Sequence, residues 1–222
     1  MSGSWAHDER SRVRRLPELA SYERQVIEDI LDATSVCHVG VVRGGRPLVL
    51  PTLYVRRDDT LLLHGSVSSL LLRTAGASEE VCVSVTLVDG IIVARSTFNS
   101  SMAYRSVVVF GACRVLEDPD EARRALDDLV DGILPGRAAE VRASTESELR
   151  RTTVVEVLID TASAKISEGP PEDEDDDVAG PAWAGTVPIV SSYGRPVPAP
   201  DGAVGRGAIE VPASINRLGG RG

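Results

Sequence analysis

The chain has 222 residues, of which 42% are hydrophobic and 26% charged, enough apolar material for one domain with a core and too much for wholesale disorder. A formal charge of −9, from 24 basic and 33 acidic residues, argues against a broad nucleic-acid surface, and no stretch nears the roughly 18 apolar residues of a membrane span. Aromatic residues are only 4%, so the core must be aliphatic. Cys37, Cys82 and Cys113 are odd in number and far apart in apolar runs. They suggest neither a disulfide framework nor a metal site, and buried thiols in a reducing cytoplasm are the expectation.

Residues 1–16 are polar and are expected to form a flexible N-terminus ahead of a domain over 17–168. A helix from Pro17 to about Asp32 places Leu19, Tyr22, Val26, Ile30 and Ala33 on one face. The period then changes to that of strands: VCHVGVV, a Gly44-Gly45 turn and PLVLPTLYV form a hairpin. His38, with no second ligand in view, reads as a packed side chain. Pro51 removes a ladder hydrogen bond, so its strand must be at an edge, bulged or open to a ligand there.

After a turn at residues 57–60, a second strand ends in His64-Gly65-Ser66, and a helix begins near Ser68. Unpaired N–H groups and the hydroxyls of Ser66, Ser68 and Ser69 make this a place for an anion, while a plain helix cap is the competing reading. VCVSVTLV, Asp89-Gly90 and IIVA predict a second hairpin turning at that dipeptide. The polar run 95–105 feeds SVVVFGACRVL, with a bulge or barrel bend at Gly111. Asp118-Pro119 starts a helix to about Val130 with Leu126 and Leu129 inward, Thr145 and Glu148 form a capping box, and residues 153–159 are the last clear strand. An acidic, Pro/Gly-rich extension over 169–222 carries six acidic residues at 172–177 and the patch WAGTVPIV. Trp183 argues that the extension packs on a surface. Short hairpins with peripheral helices point to a mainly β, α+β fold built on a closed or partly closed barrel.

ILDAT at 30–34, PLVLPTLYV, LLLHGSVSS, AYRSVVVFG at 103–111, the D-P-x-E-A helix, ASAKISEGPP at 162–171 and WAGTVPI occur in one order. Together they resemble the pyridoxamine 5′-phosphate oxidase-like FMN-binding split-barrel proteins, in particular the bacterial flavin-nucleotide-binding group related to nitroimidazole-resistance proteins. The resemblance implies a split β-barrel homodimer with FMN at the subunit interface. It places Leu50, Pro51 and Thr52 beside the flavin ring, and His64, Gly65, Ser66 and Ser69 toward the phosphate. Tyr104, Arg105 and Ser106 would close over the cofactor, with Arg105 pairing with the phosphate, and Trp183 would reach the site from the tail. Asn99 and Ser100 stand where a histidine pair is expected, Ala103 where asparagine is, and Ser167 where arginine is. The expected function is a flavin-dependent oxidoreductase acting on a small molecule, with His64 as the candidate proton-transfer residue. A non-catalytic flavin, deazaflavin or haem carrier or sensor, and a cofactor-free dimer module, are the alternatives.

Overall fold

A computed structural model of the chain describes residues 3–199 and 210–220. In chain order its elements are β1 (Ala20–Ser21), α1 (Arg24–Asp32), β2 (Val36–Arg43), β3 (Arg46–Arg57), β4 (Thr60–Ser66), α2 (Leu70–Gly76), β5 (Val81–Val93), β6 (Ser101–Gly111) and β7 (Cys113–Val115). They continue with α3 (Pro119–Ile133), α4 (Glu146–Leu149), β8 (Thr152–Leu158), β9 (Thr161–Ser167), α5 (Asp175–Val178), β10 (Gly185–Pro188) and α6 (Ala213–Asn216). One antiparallel sheet runs β1-β9-β6-β5-β2-β3-β4-β8-β7, with β10 added to β5. It is a split β-barrel with helices at its margins, as the sequence leads one to expect.

The inward residues of each strand alternate with outward ones, and the inward set is aliphatic: Val39, Leu61, Leu63, Val83, Val107, Val109, Ala162 and Ala164 are fully buried. The sheet closes where β6 turns into β7 and meets β8. There the carbonyl of Leu158 stands where a Cβ of Gly111 would be, so only glycine fits. Helix α1 covers one barrel end with Ile27, Ile30 and Leu31. Tyr54 is buried beneath it and donates its hydroxyl to the Leu31 carbonyl at 2.5 Å, which satisfies the polar end of an otherwise apolar side chain.

A second, smaller core lies outside the barrel. Leu62 and Val154 face Ala125 and Leu129 of α3, whose first turn is capped by the Asp118 carboxylate accepting from the amides of Asp120 and Glu121 at 3.0 and 2.8 Å. Beside this contact the half-buried network of Glu156, Arg57 and Arg114 ties the sheet to Asp128 and Glu121 of the helix. Arg57 and Arg114 each lie 2.7 Å from the buried Glu156 carboxylate, which therefore keeps its charge despite burial.

Four expectations require correction. The helix expected from Pro17 is broken: residues 17–19 form a single 3₁₀ turn, and Ala20–Ser21 pair with β9 before α1 starts at Arg24. Asp89-Gly90 is not a hairpin turn. Strand β5 runs through it with an irregularity beside Val88, and the chain reverses at residues 94–100 instead. Glycine is required there because β10 crosses close by, with the Val187 carbonyl 2.7 Å from where a Cβ would stand. The last barrel strand is β9, whose Ala162 and Ala164 are too small to give a clear apolar signal.

The fourth correction concerns the N-terminus, whose described part, residues 3–16, is laid against the barrel. Trp5 is 6% exposed, its amide donates to the Tyr22 carbonyl at 2.9 Å, and the Arg24 guanidinium lies 3.9 Å over its ring. His7 stacks on Tyr22 at 4.0 Å, and the Tyr22 hydroxyl accepts from the Val13 amide at 3.1 Å. Trp5→Ala should therefore lower unfolding free energy by roughly 3–5 kcal/mol, the usual cost of truncating a buried aromatic. Urea denaturation measures this, and a loss below about 1 kcal/mol would mean that the segment adds little to the core.

Candidate functional site

Strands β3 and β4 pair only from Tyr54↔Leu63 to Arg57↔Thr60. Beyond Leu63, β4 keeps β8 as its partner and β3 keeps β2, so among the described residues the outer edge of residues 48–53 has no strand beside it. The Tyr54 amide donates to Ser35 on the β2 side at 2.9 Å. Amides alternate along a strand, so Thr52 and Leu50 point the same way and the nitrogen of Pro51 points to the open edge. Proline there forfeits no ladder hydrogen bond, which explains how it fits within β3.

The turn across this opening uses its own hydroxyls. Ser66 and Ser68 hydroxyls lie 2.9 Å apart, and the Ser69 hydroxyl accepts from the Leu72 amide at 3.3 Å as the cap of α2. Leu50, Pro51, Thr52, His64, Gly65, Ser66 and Ser69 thus come from the two elements that flank the split. Tyr104, Arg105 and Ser106 do not join them within one chain: β6 lies three strands away in the sheet, roughly 14 Å at ordinary strand spacing. Tyr104 and Ser106 also face opposite to Arg105, whose neighbours at alternate positions, Val107 and Val109, are inside the barrel. The Arg105 guanidinium is engaged by Asp89 through two hydrogen bonds of 2.9 and 2.7 Å, which raise its pKa and lower that of the carboxyl. Trp183 is 65% exposed, its ring resting against Gly185 at the start of β10.

Asn99 and Ser100 close the β5–β6 turn. The Asn99 amide donates to the Ser96 hydroxyl at 3.1 Å, and the Ser100 hydroxyl donates to the Ser96 carbonyl at 3.0 Å. Ser167 is the register partner of Tyr104. His38 lies exposed on the outer sheet face, between Pro51 and Ser84 in register. Burial raises the pKa of all three thiols, Cys37 to about 12 and Cys113 to about 11, so they are poor nucleophiles.

On β4, His64 shares the outward face of Leu62, toward α3. It enters a cavity of about 170 Å³ whose apolar wall is Leu53, Leu126, Leu129, Val130, Ile133 and Val141, with Arg142 and Ser144 at the rim. The imidazole keeps one side open to solvent, and among the described residues neither ring nitrogen has a hydrogen-bond partner. The apolar wall nevertheless desolvates it and lowers its pKa below 6.5. This favours the neutral imidazole, which carries a free lone pair. The wall itself escapes sequence reasoning aimed at polar motifs, although Leu126, Val130 and Ile133 recur at helical spacing. A larger open groove of about 800 Å³ beside Arg24, Glu28 and Asp59 is lined by charges that pair with one another.

The pyridoxamine 5′-phosphate oxidase family pattern matches residues 23–166, from just before α1 to the end of the barrel. The chain belongs to this family. Over 90% of its length this family member is 41% identical to the FAD and haem binding protein of Mycobacterium smegmatis, covering 97% of that chain with a TM-score of 0.86. It is 33% identical to a flavocytochrome of Azotobacter vinelandii over 95% of its own length and 97% of the other, with a TM-score of 0.88. A Bacteroides thetaiotaomicron structure described as that of a 5-nitroimidazole antibiotic resistance protein shares the fold at 24% identity and a TM-score of 0.58, over 66% of this chain and 86% of that one. No curated protein sequence matches it.

The lowered pKa of His64 has a consequence for stability. As pH falls through 6.5, the unfolded chain takes up a proton that folded His64 binds only at lower pH, so folding stability is lost over that window. His64→Gln removes this loss. Urea midpoints measured from about pH 8 to about pH 5 should fall less steeply for the variant than for wild type, and parallel curves would show that the imidazole is not desolvated.

Proposed function

We propose that this chain is a homodimeric flavoprotein that also binds haem, with His64 as the residue that would hold the iron, and that it serves as an oxidoreductase. The observation that carries this reading is the imidazole of His64, unpartnered among the described residues, on an apolar wall in a chain similar over nine-tenths of its length to an FAD and haem binding protein.

The residues present suit both groups. A haem would need an imidazole lone pair for its iron and an apolar slot for its ring, and His64 with Leu53, Leu126, Val130 and Ile133 offers them. A flavin needs backbone hydrogen-bonding groups and a flat surface, and beside Leu50 and Thr52 the open edge of β3 offers the Pro51 carbonyl and the backbone groups of Val49 and Leu53. Gly65, Ser66 and Ser69 flank its other side. The similarity to an FAD-binding protein favours FAD over the FMN that the motifs suggest. When bound, the flavin supplies two-electron and one-electron exchange, and the haem iron one-electron exchange. The protein's part is to orient both across one strand pair, to exclude water with the α3 wall, and to keep His64 deprotonated.

One chain supplies only part of the His64 site, since about 170 Å³ is below the roughly 300–1,000 Å³ of an enclosed cofactor pocket. A second copy would complete it, with Tyr104 and Ser106 facing across the interface. The exposed apolar residues Val36, Val42 and Val49 on β2 and β3 offer contact area, and Trp183 could lie over the partner's flavin. Arg105, already held by Asp89, would meet a phosphate only by exchanging that partner.

Reconstitution tests the reading. Apo-protein titrated with haemin and separately with FAD and FMN should develop both a haem Soret band and bound-flavin absorbance. His64→Ala should lose the Soret band or weaken haemin binding by at least about a hundredfold while leaving the flavin bound. Equal haemin binding by wild type and variant would remove His64 as the ligand. Flavin binding with no haem uptake by wild type would reduce the protein to a flavoprotein alone.

A further inference from the structure

Helix α6 and the residues after it lie against the loop that joins α3 to α4, residues 134–144. Ser214 is fully buried there, and its amide and hydroxyl both donate to the Glu140 carboxylate, at 3.1 and 2.5 Å. The Arg217 guanidinium packs over Gly136, 2.9 Å from where a Cβ would stand, at a backbone φ of +85° that favours glycine. Among the described residues, Glu140 is the one group outside residues 210–218 to which that segment hydrogen-bonds. It is therefore attached at a single polar point, with half-buried Ile215 and Leu218 beside it.

The loop is fixed to the domain at two points, where the Ala138 amide donates to Asp131 at 2.7 Å and Arg123 donates to the Ser144 carbonyl. Between these anchors, Val141 and Arg142 reach the His64 cavity, and the Arg142 guanidinium donates to the Glu148 carboxylate of α4 at 2.8 and 2.6 Å. Glu140, next to Val141, is where the C-terminal segment takes hold. At Glu140 and Val141 the pocket wall is thus held in part by a segment that comes from 74 positions further along the chain.

We propose that residues 210–218 are a detachable clasp that holds the 134–144 loop as the outer wall of the His64 pocket, so that its release loosens the grip on the pocket's occupant. The second half of this statement rests on the pocket being the haem site. Releasing the clasp frees the loop without touching His64 or the apolar residues of α3, so retention changes while the ligating atom stays in place.

Amide exchange in the apo-protein and haemin transfer to apomyoglobin test the two halves separately, using wild type, Ser214→Ala and a chain ending at residue 209. The Arg137, Ala138 and Glu140 amides are hydrogen-bonded at the loop and should exchange about tenfold faster in both variants, with β6 amides unchanged. Haemin should leave both variants about tenfold faster. Unchanged loop exchange overturns the clasp, and faster loop exchange with unchanged haemin transfer overturns its control of the pocket. If wild type takes up no haemin, the haem function fails, and the exchange rates alone decide whether the clasp holds the loop.

Discussion

The parting of β3 from β4 after the Tyr54–Leu63 pair governs the molecule. Tyr54 is fixed from two directions, its amide by Ser35 and its hydroxyl by Leu31, and so holds β3 to the barrel and to α1 at the last point of pairing. Beyond it each strand satisfies only one neighbour. A bare strand edge is costly in water-poor surroundings and hazardous in open solvent, because its N–H and C=O groups invite another chain. Pro51 reduces that hazard by removing a donor from the open side. The remaining groups are available to a cofactor, and the same opening exposes the turn at residues 64–69.

The two faces of this strand pair are prepared differently. Inside, Leu61, Leu63 and Tyr54 belong to the barrel core. Outside, Leu62 mounts α3, and the Glu156 network with Arg57 and Arg114 keeps that helix in register with the sheet. Breaking one partner of such a network leaves a buried charge uncompensated, so its value lies in fixing position more than in net stability. The helix so fixed gives His64 an apolar neighbour. The alternation of β4 therefore sends the residue after Leu63 to a wall with different chemistry from the one before it.

Local chemistry was legible from the residues: the Gly44-Gly45 hairpin, the Asp118 cap, the Thr145–Glu148 capping box and the edge character of Pro51 each depend on neighbours within a few positions. The family and its barrel were legible from motifs in order. What escaped depends on distant chain segments. Gly90 carries a turn dipeptide's sequence but serves the approach of β10, almost a hundred residues on. Trp5 looks like part of a polar N-terminus until Tyr22 and Arg24, the first residue of α1, meet it. Arg105 reads as a free cation for phosphate because nothing local announces Asp89 as its partner across the ladder. The His64 wall combines one strand, one helix and one loop, so no single motif contains it.

The central claim is that the split edge of one chain is a cofactor site finished by a second copy. Sedimentation velocity of the reconstituted protein at micromolar concentration, with absorbance followed at both protein and flavin wavelengths, tests it most directly. The account predicts that flavin absorbance sediments with a dimer and that dilution to monomer releases the flavin. A monomer that keeps its flavin bound would contradict it.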